Sequence, residues 1–503
     1  MSRTEGRHLL DKRAPERDRS ATAPPGARGL ESRVRSGAVW GVVNNLTIRF
    51  ANIAVMVVVV RLVSPEQFGV FAAALTVSVV VSGFADWGVA AYLVRGDVDP
   101  DDVGPTVTAI AMLSGVVLAI LVCLSAPQLA AMFGAPAAVE EIRVMSLVLV
   151  VGGIIAVPTA LLAREFQQGR LFAATVAGFV PSSILLVVMA HHGAGAMSFA
   201  WSRVAAVVFQ GIFILLAVGR VYRPRITSRH LRHVFAFGLP LAGANLVNYA
   251  LVNADYALVG NQFGAAYLGV YMLAFNVSSW ATAVLSGAIN GVAMPGFSRV
   301  WGDRERLSLA LGRSTRAVCL VAFVIAAMTY VLAEPLIRVL YGARWDEAAP
   351  VLEILAVYGG SFAVVSLLSN LLVGAGRTSR ALVIQVVWLA ALFPAMAFGA
   401  RAGGLEGVAW AHVGVVVLVV LPAYAVAVSP LVNGLPGILG RAVVFPLTSA
   451  AVAAACAAVA MRVVDGPATQ LLVGAGVGGL VYVAVAGRSL RAVATAGRGG
   501  EVG

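Results

Sequence analysis

The sequence predicts an all-α, polytopic membrane protein: about 14 transmembrane helices, forming two six-helix lobes around a central cavity, followed by two C-terminal helices. Three observations predict it. Hydrophobic residues make up 60% of the chain and charged residues 12%, against roughly 45–50% and about 25% in soluble domains. Apolar runs long enough for a hydrocarbon core about 30 Å thick, about 20 residues each, recur after Arg35. Part of the first six-run set returns in the second. Helices rather than open sheets follow, because lipid cannot satisfy the backbone groups of a sheet edge.

Residues 1–35 hold nine basic and five acidic side chains and no apolar centre of a leader sequence. They read as a disordered cytoplasmic tail, with a tether to anionic lipid as the alternative. The first lobe, 36–220, carries apolar spans at 37–60, 67–93, 105–126, 144–163, 171–190 and 196–218. A basic cytoplasmic linker, 221–233, leads to the second lobe, 234–430, with spans at 234–260, 266–294, 317–334, 349–374, 380–400 and 405–428. Two additional helices, 442–461 and 468–487, occupy 440–488, and 489–503 is a second cytoplasmic tail.

With both termini in the cytoplasm, 28 of the 36 basic residues fall on the inner side and six on the outer side. Arg49 and Arg203 remain within spans. That asymmetry sets the orientation. It also accounts for the net charge of +12 without nucleic acid as a partner. Cys123, Cys319 and Cys456 lie singly in apolar segments and read as packing residues. Lys12 is the one lysine, which leaves lysine chemistry almost nowhere to reside.

At an offset of 200, Gly69, Val70, Ala74, Val77 and Ser78 in RLVSPEQFGVFAAALTV match Gly269, Val270, Ala274, Val277 and Ser278 in NQFGAAYLGVYMLAFNV. Asn45 and Leu46 likewise match Asn245 and Leu246. Six spans per set keep both sets in the same orientation, related by an axis along the membrane normal. Both copies are then outer corners between the first and second helices of a lobe, and Pro65 and Gly69 read as turn and close-packing residues. Arg61 is expected in solvent at the outer mouth.

These segments, with GFADWGVAAYLVR, ADYALVG and LYGARWDEAAPVLEILAVYGGSFAVVSLLSNLLVGAGRTSRAL, resemble the signature regions of bacterial oligosaccharide flippases. These are lipopolysaccharide and exopolysaccharide biosynthesis transporters of the multidrug, oligosaccharidyl-lipid and polysaccharide exporter superfamily. The resemblance runs from about residue 36 to residue 430. It implies alternating-access movement of a polyprenyl-pyrophosphate-linked oligosaccharide across the cytoplasmic membrane, for lipopolysaccharide, exopolysaccharide or capsule assembly. Membrane lipids and other polysaccharide assembly proteins are the further partners it suggests.

An anionic head group needs cations in a hydrated cavity, and Arg matches phosphate oxygens best. Asn45, Arg49 and Asn52 share a helix face at i, i+4 and i+7. Arg49 sits about 18 Å from the inner end, where an unsheltered guanidinium costs about 2.5–3.5 kcal/mol or more. Its bland alternative is an interhelical ion pair. Asn248, Asp255, Asn276 and Asn290 are further cavity candidates, although amide-mediated helix contacts explain the asparagines equally well. Asp86 and Asp255 are candidates for gating or ion coupling; the plainer readings are an interfacial acid beside Trp87 and a structural pair. Arg203 is expected to snorkel beside Trp201. His191, His192 and His412 have no metal partner at suitable spacing, so no metal or other cofactor is expected. The basic and apolar alternation over Arg299–Arg316 is expected to lie along the cytoplasmic surface.

Two relatives in function compete. A multidrug antiporter for cationic compounds would want an acid at mid-depth where Arg49 stands. A flippase for the peptidoglycan lipid precursor shares the fourteen-helix form but fits the quoted motifs less well. A membrane glycan polymerase would need activating residues on an outer loop. The longest outer loop expected, Pro127–Arg143, offers Glu140, Glu141 and Arg143 alone, so no enzyme is expected.

Overall fold

The computed structural model describes residues 50–85, 93, 99–280 and 303–498, and these segments are helices joined by turns and one extended connection, 219–227. Apolar helix α1 (Phe50–Val60) turns through Arg61–Ser64 into α2 (Pro65–Ala85). Then come α3 (Pro100–Met132), α4 (Val139–Arg164), α5 (Gln168–His191) and α6 (Ala196–Val218). The second set holds α7 (Ser228–Phe263), α8 (265–280), α9 (Arg304–Leu340), α10 (Ala348–Gly374), α11 (Thr378–Val415) and α12 (Leu421–Val428). Helices α13 (Leu435–Met461) and α14 (Pro467–Arg498) close the chain. Among the described residues ten helical spans are long and apolar enough to cross a membrane. Large apolar side chains stand exposed along them, such as Leu124 at 73%, Leu216 at 80% and Leu480 at 74%. On helices this long, such faces suit lipid rather than water.

Local chemistry sets the boundaries. Asp99 caps α3 through the Asp101 amide, and Asp303 caps α9 through the Glu305 and Arg306 amides, each satisfying donors that a helix start leaves orphaned. Gly404, at φ 59°, reverses the chain within α11 so that its two halves fold back on each other. There Gly399 and Gly407 meet backbone to backbone, where a Cβ on either would collide with the carbonyl of the other. This reversal separates the predicted spans 380–400 and 405–428. The second half then continues through a π turn, Val416–Val420, into α12.

Two segments differ from expectation. The expected outer loop Pro127–Arg143 shrinks to a short connection, because α3 continues through Pro127 to Met132 and a 3-10 turn, Pro136–Ala138, leads directly into α4. The segment expected to lie on the surface, Arg299–Arg316, is from Arg304 onward the first three turns of α9. Leu307 and Leu311, four apart, are buried there, Gly312 lies against Ile438, and Ser308 accepts a hydrogen bond from the Asn433 amide. At about 55 Å, α9 is longer than the hydrocarbon is thick. Packing against α13 thus carries a mixed polar pattern out of the apolar region as regular helix.

Helices α13 and α14 pack on α9. The Tyr482 hydroxyl donates to the Leu320 carbonyl, and Gly474 and Gly478 admit Leu332 and Met328. The two corners of the repeat meet at one end of the bundle. A Cβ on Gly69 would overlap the Ala265 carbonyl, and one on Gly269 would overlap the Pro65 carbonyl. Nearby, Gly134 and Gly260 meet in the same manner. This end is sealed by backbone contact between the first six helices and the second set.

A side chain at that crossing must push helices apart, whereas Gly152 has open space around its missing Cβ. Gly69→Leu should destabilise this form by about 1–3 kcal/mol, the usual range for overpacking, and lower the unfolding temperature of the detergent-solubilised protein. Gly152→Ala should leave it unchanged or raise it, because alanine is the better helix former.

Candidate functional site

Below the sealed end, α1, α2, α5 and α6 face α8 across a cavity of about 720 Å³. The aromatic cluster of Phe68, Phe71, Phe199 and Trp345 roofs it. Phe71 and Phe199 stack at 4.4 Å, and Trp345 stands edge-on to Phe68 at 5.7 Å. Buried Tyr341 reaches the cavity wall beneath that roof.

The wall is mixed. Apolar Met56, Leu75 and Met272 alternate with amides and hydroxyls, among them Asn52, Ser182, Gln210 and Asn276. Among the described residues that line the cavity, Arg203 is the one charged side chain. It lies seven residues into α6, so about 10 Å below the sealed end; Asn52 and Asn276 lie about 12 and 16 Å below it. Three helices from both sets therefore bring polar groups to a common depth. Arg203 is accessible through the cavity, and among the described residues no carboxylate pairs with it. A guanidinium held this way keeps its donors available for an anion.

The expectation that Arg203 snorkels is corrected. Trp201, two positions earlier and nearly opposite on the helix, takes the exposed outer face, and Arg203 takes the inner one. The Ser202 hydroxyl donates to the Ser182 carbonyl at 2.9 Å and fixes α6 against α5 in this rotation. Asn52 and Asn276 stand on the wall, with the Asn276 amide donating to the Met272 carbonyl of its own helix at 2.9 Å. Asp255 does not reach the wall: it is 2% exposed and turns to the far side of α8. The side chain of Asn248 is outside what the structure describes, as are Asn45, Arg49, Asp86 and Asn290.

Two residues dismissed from sequence gain partners. Arg61, expected in solvent, donates from Nε to the Leu340 carbonyl at 2.7 Å and from Nη2 to the Val339 carbonyl. These are the last carbonyls of α9, so the cation sits at the negative end of a helix of the other set. Trp345 Nε1 adds a bond to the Val60 carbonyl at 3.2 Å, and Arg344 one to the Val63 carbonyl at 3.4 Å. His412, expected alone in an apolar helix, is 3.7 Å from the Asp255 carboxylate. At the opposite end of the first set, the Tyr222 hydroxyl donates to Asp101 at 2.6 Å. Burial and that carboxylate push the phenol up to about 12.

Residues 58–350 match the family described as polysaccharide biosynthesis protein. The succinoglycan biosynthesis transport protein ExoT of Rhizobium meliloti is 28% identical, over 70% of this chain and 72% of its own length. The lipopolysaccharide biosynthesis protein WzxC of Escherichia coli is 22% identical over 80% and 82%. The teichuronic acid biosynthesis protein TuaB of Bacillus subtilis is also 22% identical, over 76% and 80%. Among solved structures, the lipid II flippase MurJ in an inward closed conformation superposes with a TM-score of 0.72 at 13% identity, over 90% of this chain and 99% of that one. An inward-facing multidrug resistance MATE transporter of the MOP superfamily gives 0.55 at 17% identity, over 78% and 93%. At these identities the two structures establish a common fold.

The Arg61 contacts span the seal, and hydrogen bonds from a charged donor contribute about 1.5–3 kcal/mol each. With Cys123, Cys319 and Cys456 replaced, a cysteine introduced as Leu75→Cys on the cavity wall should be labelled several-fold faster by a membrane-impermeant maleimide when Arg61→Ala is added.

Proposed function

Because the chain belongs to the polysaccharide biosynthesis protein family, we propose that it is a flippase carrying a polyprenyl-pyrophosphate-linked oligosaccharide across the cytoplasmic membrane by alternating access. The sealed end faces outward, both termini face the cytoplasm, and the cavity opens toward the cytoplasm to receive the head group. The reading rests on the family and on one observation: a cavity between the two helix sets, walled in part by amides and hydroxyls, whose one charged lining residue among the described residues is Arg203.

Each part of such a substrate has a complement there. The pyrophosphate oxygens take the planar fork of Arg203, and the sugar hydroxyls take Asn52, Gln210, Asn276 and the serines of α5. The prenyl chain needs no cavity, since lipid solvates it throughout. Arg49, three residues before Asn52 in the sequence, is the proposed second cation. A cationic drug would be repelled by this wall, which holds no carboxylate among its described lining residues. No covalent step is required: the free-energy barrier removed is the transfer of a charged, hydroxylated head through hydrocarbon.

Opening outward requires the seal to part. The Arg61 and Trp345 hydrogen bonds and the Gly69–Gly269 crossing all join the two sets at that end. Breaking them while the opposite end closes lets the lobes rock about the cavity. The bonds are few and local, so the seal is tight without being permanent. Because α8 contributes both to the seal and to the wall, a head group bound at Asn276 acts on an element that must move.

In a strain lacking the protein, lipid-linked glycan should accumulate on the cytoplasmic side and reappear outside on complementation. Arg203→Ala should cut the outer-leaflet appearance by about 10- to 100-fold, the equivalent of one charge-assisted hydrogen bond or pair, with membrane abundance unchanged. Arg203→Lys should restore only part, since an ammonium keeps the charge and loses the fork. Undiminished export by Arg203→Ala would remove the residue from the substrate path.

A further inference from the structure

Helix α8 has a second working face. Met272, Asn276 and Ser279 line the cavity, while Tyr271 and Phe275, four apart, point away from it into the second helix set. There the Tyr271 hydroxyl donates to Asp255 Oδ2 at 3.2 Å, and the Tyr256 amide donates to Oδ1 at 2.9 Å. The Asp255 carboxylate faces His412 Nε2 at 3.7 Å, beyond hydrogen-bond reach. Both residues are buried, at 2% and 4% exposure, and neither nitrogen of His412 has a hydrogen-bond partner among the described residues. The rings of Phe275 and Tyr358 enclose the imidazole at 6.1 and 5.3 Å.

We propose that Asp255 and His412 form a one-proton loading site in the second helix set, coupled through α8 to the substrate cavity and the seal. The coupling part rests on the flippase reading; the proton site does not. Charge counting carries the first step. With aspartate ionised and histidine neutral, the pair holds one uncompensated negative charge in an apolar pocket. One added proton makes the pair neutral, whether it resides on Oδ2 or on Nε2, and a second would leave it positive. In a medium of low dielectric the neutral count is favoured over both neighbours. The loaded pair can then close from 3.7 Å to about 2.7–2.9 Å, the length of a charge-assisted bond. That draws the second half of α11 toward α7.

The surroundings favour a proton over a metal cation. Hard cations need several oxygen ligands, whereas the carboxylate is faced by Tyr271 from α8, Tyr256 from α7, Tyr358 from α10 and His412 from α11. Of these, only the Tyr271 hydroxyl is an oxygen bonded to the carboxylate. The carboxylate Glu353 of α10 lies in the fields of Glu334 of α9 and Glu406 of α11. The acid of α2, Glu66, lies in its first turn at the seal. Transmission follows from packing: Tyr271 and Phe275 touch the pair, and two residues before Tyr271 the same helix crosses Gly69 with no room for a Cβ. A shift of less than 1 Å at the pair cannot be absorbed there without parting the helices.

The test uses the full chain in liposomes without any glycan lipid, so its outcome is independent of whether the protein is a flippase. Infrared difference spectra between about pH 5 and pH 9 should contain one carboxyl or imidazole protonation step that is lost in Asp255→Asn. In His412→Phe, which keeps an aromatic ring but removes the second proton acceptor, the midpoint should fall by about one pH unit or more. The histidine variant carries the test if the aspartate variant does not fold. An unchanged midpoint in His412→Phe, or no Asp255-dependent step, would overturn the site; so would a sodium-dependent shift of the same bands at fixed pH. The maleimide labelling rate of Leu75→Cys, divided at each pH by that of a cysteine placed at exposed Val463 to remove the thiolate dependence, should change several-fold with pH in the Cys-replaced protein and stay flat when Asp255→Asn is added. A ratio that is flat in both would overturn the coupling while leaving the proton site standing.

Discussion

The crossing of Gly69 with Gly269 is the contact on which the rest of the structure depends. In lipid, apolar side chains gain nothing by leaving one hydrocarbon surface for another, so helices associate through close packing and hydrogen bonds. Two glycines let α2 and α8 approach until backbone meets backbone. That approach brings the aromatic roof together and places the α9 carbonyls within reach of Arg61. It also defines the depth from which the cavity is measured. A contact made of many long side chains would be sticky and adaptable; this one has a single geometry and fails abruptly when its partners separate, which suits a gate.

The architecture was largely legible because its signals are local or periodic. Apolar length marked the helices, and the match of Gly69 to Gly269 across the repeat marked corners that the structure brings into contact. The errors arose where a local pattern has two tertiary solutions. The segment Arg304–Arg316 alternates basic and apolar residues, which suits a membrane surface, yet Leu307 and Leu311 also form a helix face that α13 can cover. The expected span 105–126 stops short of Pro127, yet the helix runs through it, since proline is tolerated inside membrane helices when neighbouring groups re-satisfy the backbone.

Site residues were harder, because a side chain's role depends on the rotation of its helix. Asn52 and Asn276 stood out as amides in apolar runs, and the structure places both on the cavity wall. Arg203 gave the same kind of signal, but Trp201 beside it supported an interfacial reading. The two lie nearly opposite on α6, and the Ser202 to Ser182 bond decides which faces inward. A spacing argument applied to Trp201 and Arg203 would have separated their faces without deciding between lipid and cavity. His412 carried no local signal at all, since its partner Asp255 lies on a helix remote in sequence.

The placement of charge follows one rule. Arg203 keeps its guanidinium accessible in a cavity, where water can solvate it. Asp255 and His412 are buried where no solvent shell is available, so the charge of one can be balanced only by the other or by a proton. A protein that needed only stability would replace the second arrangement with apolar side chains, because a desolvated pair seldom repays its burial. Its location on the far face of the helix that also lines the cavity gives the cost a use. One element, α8, lines the cavity through Asn276, bonds Asp255 through Tyr271 on its other face and crosses Gly69 at the seal; under the proposed function it meets the head group, the proton site and the gate together. Any state that satisfies all three contacts at once is a state in which none can change independently.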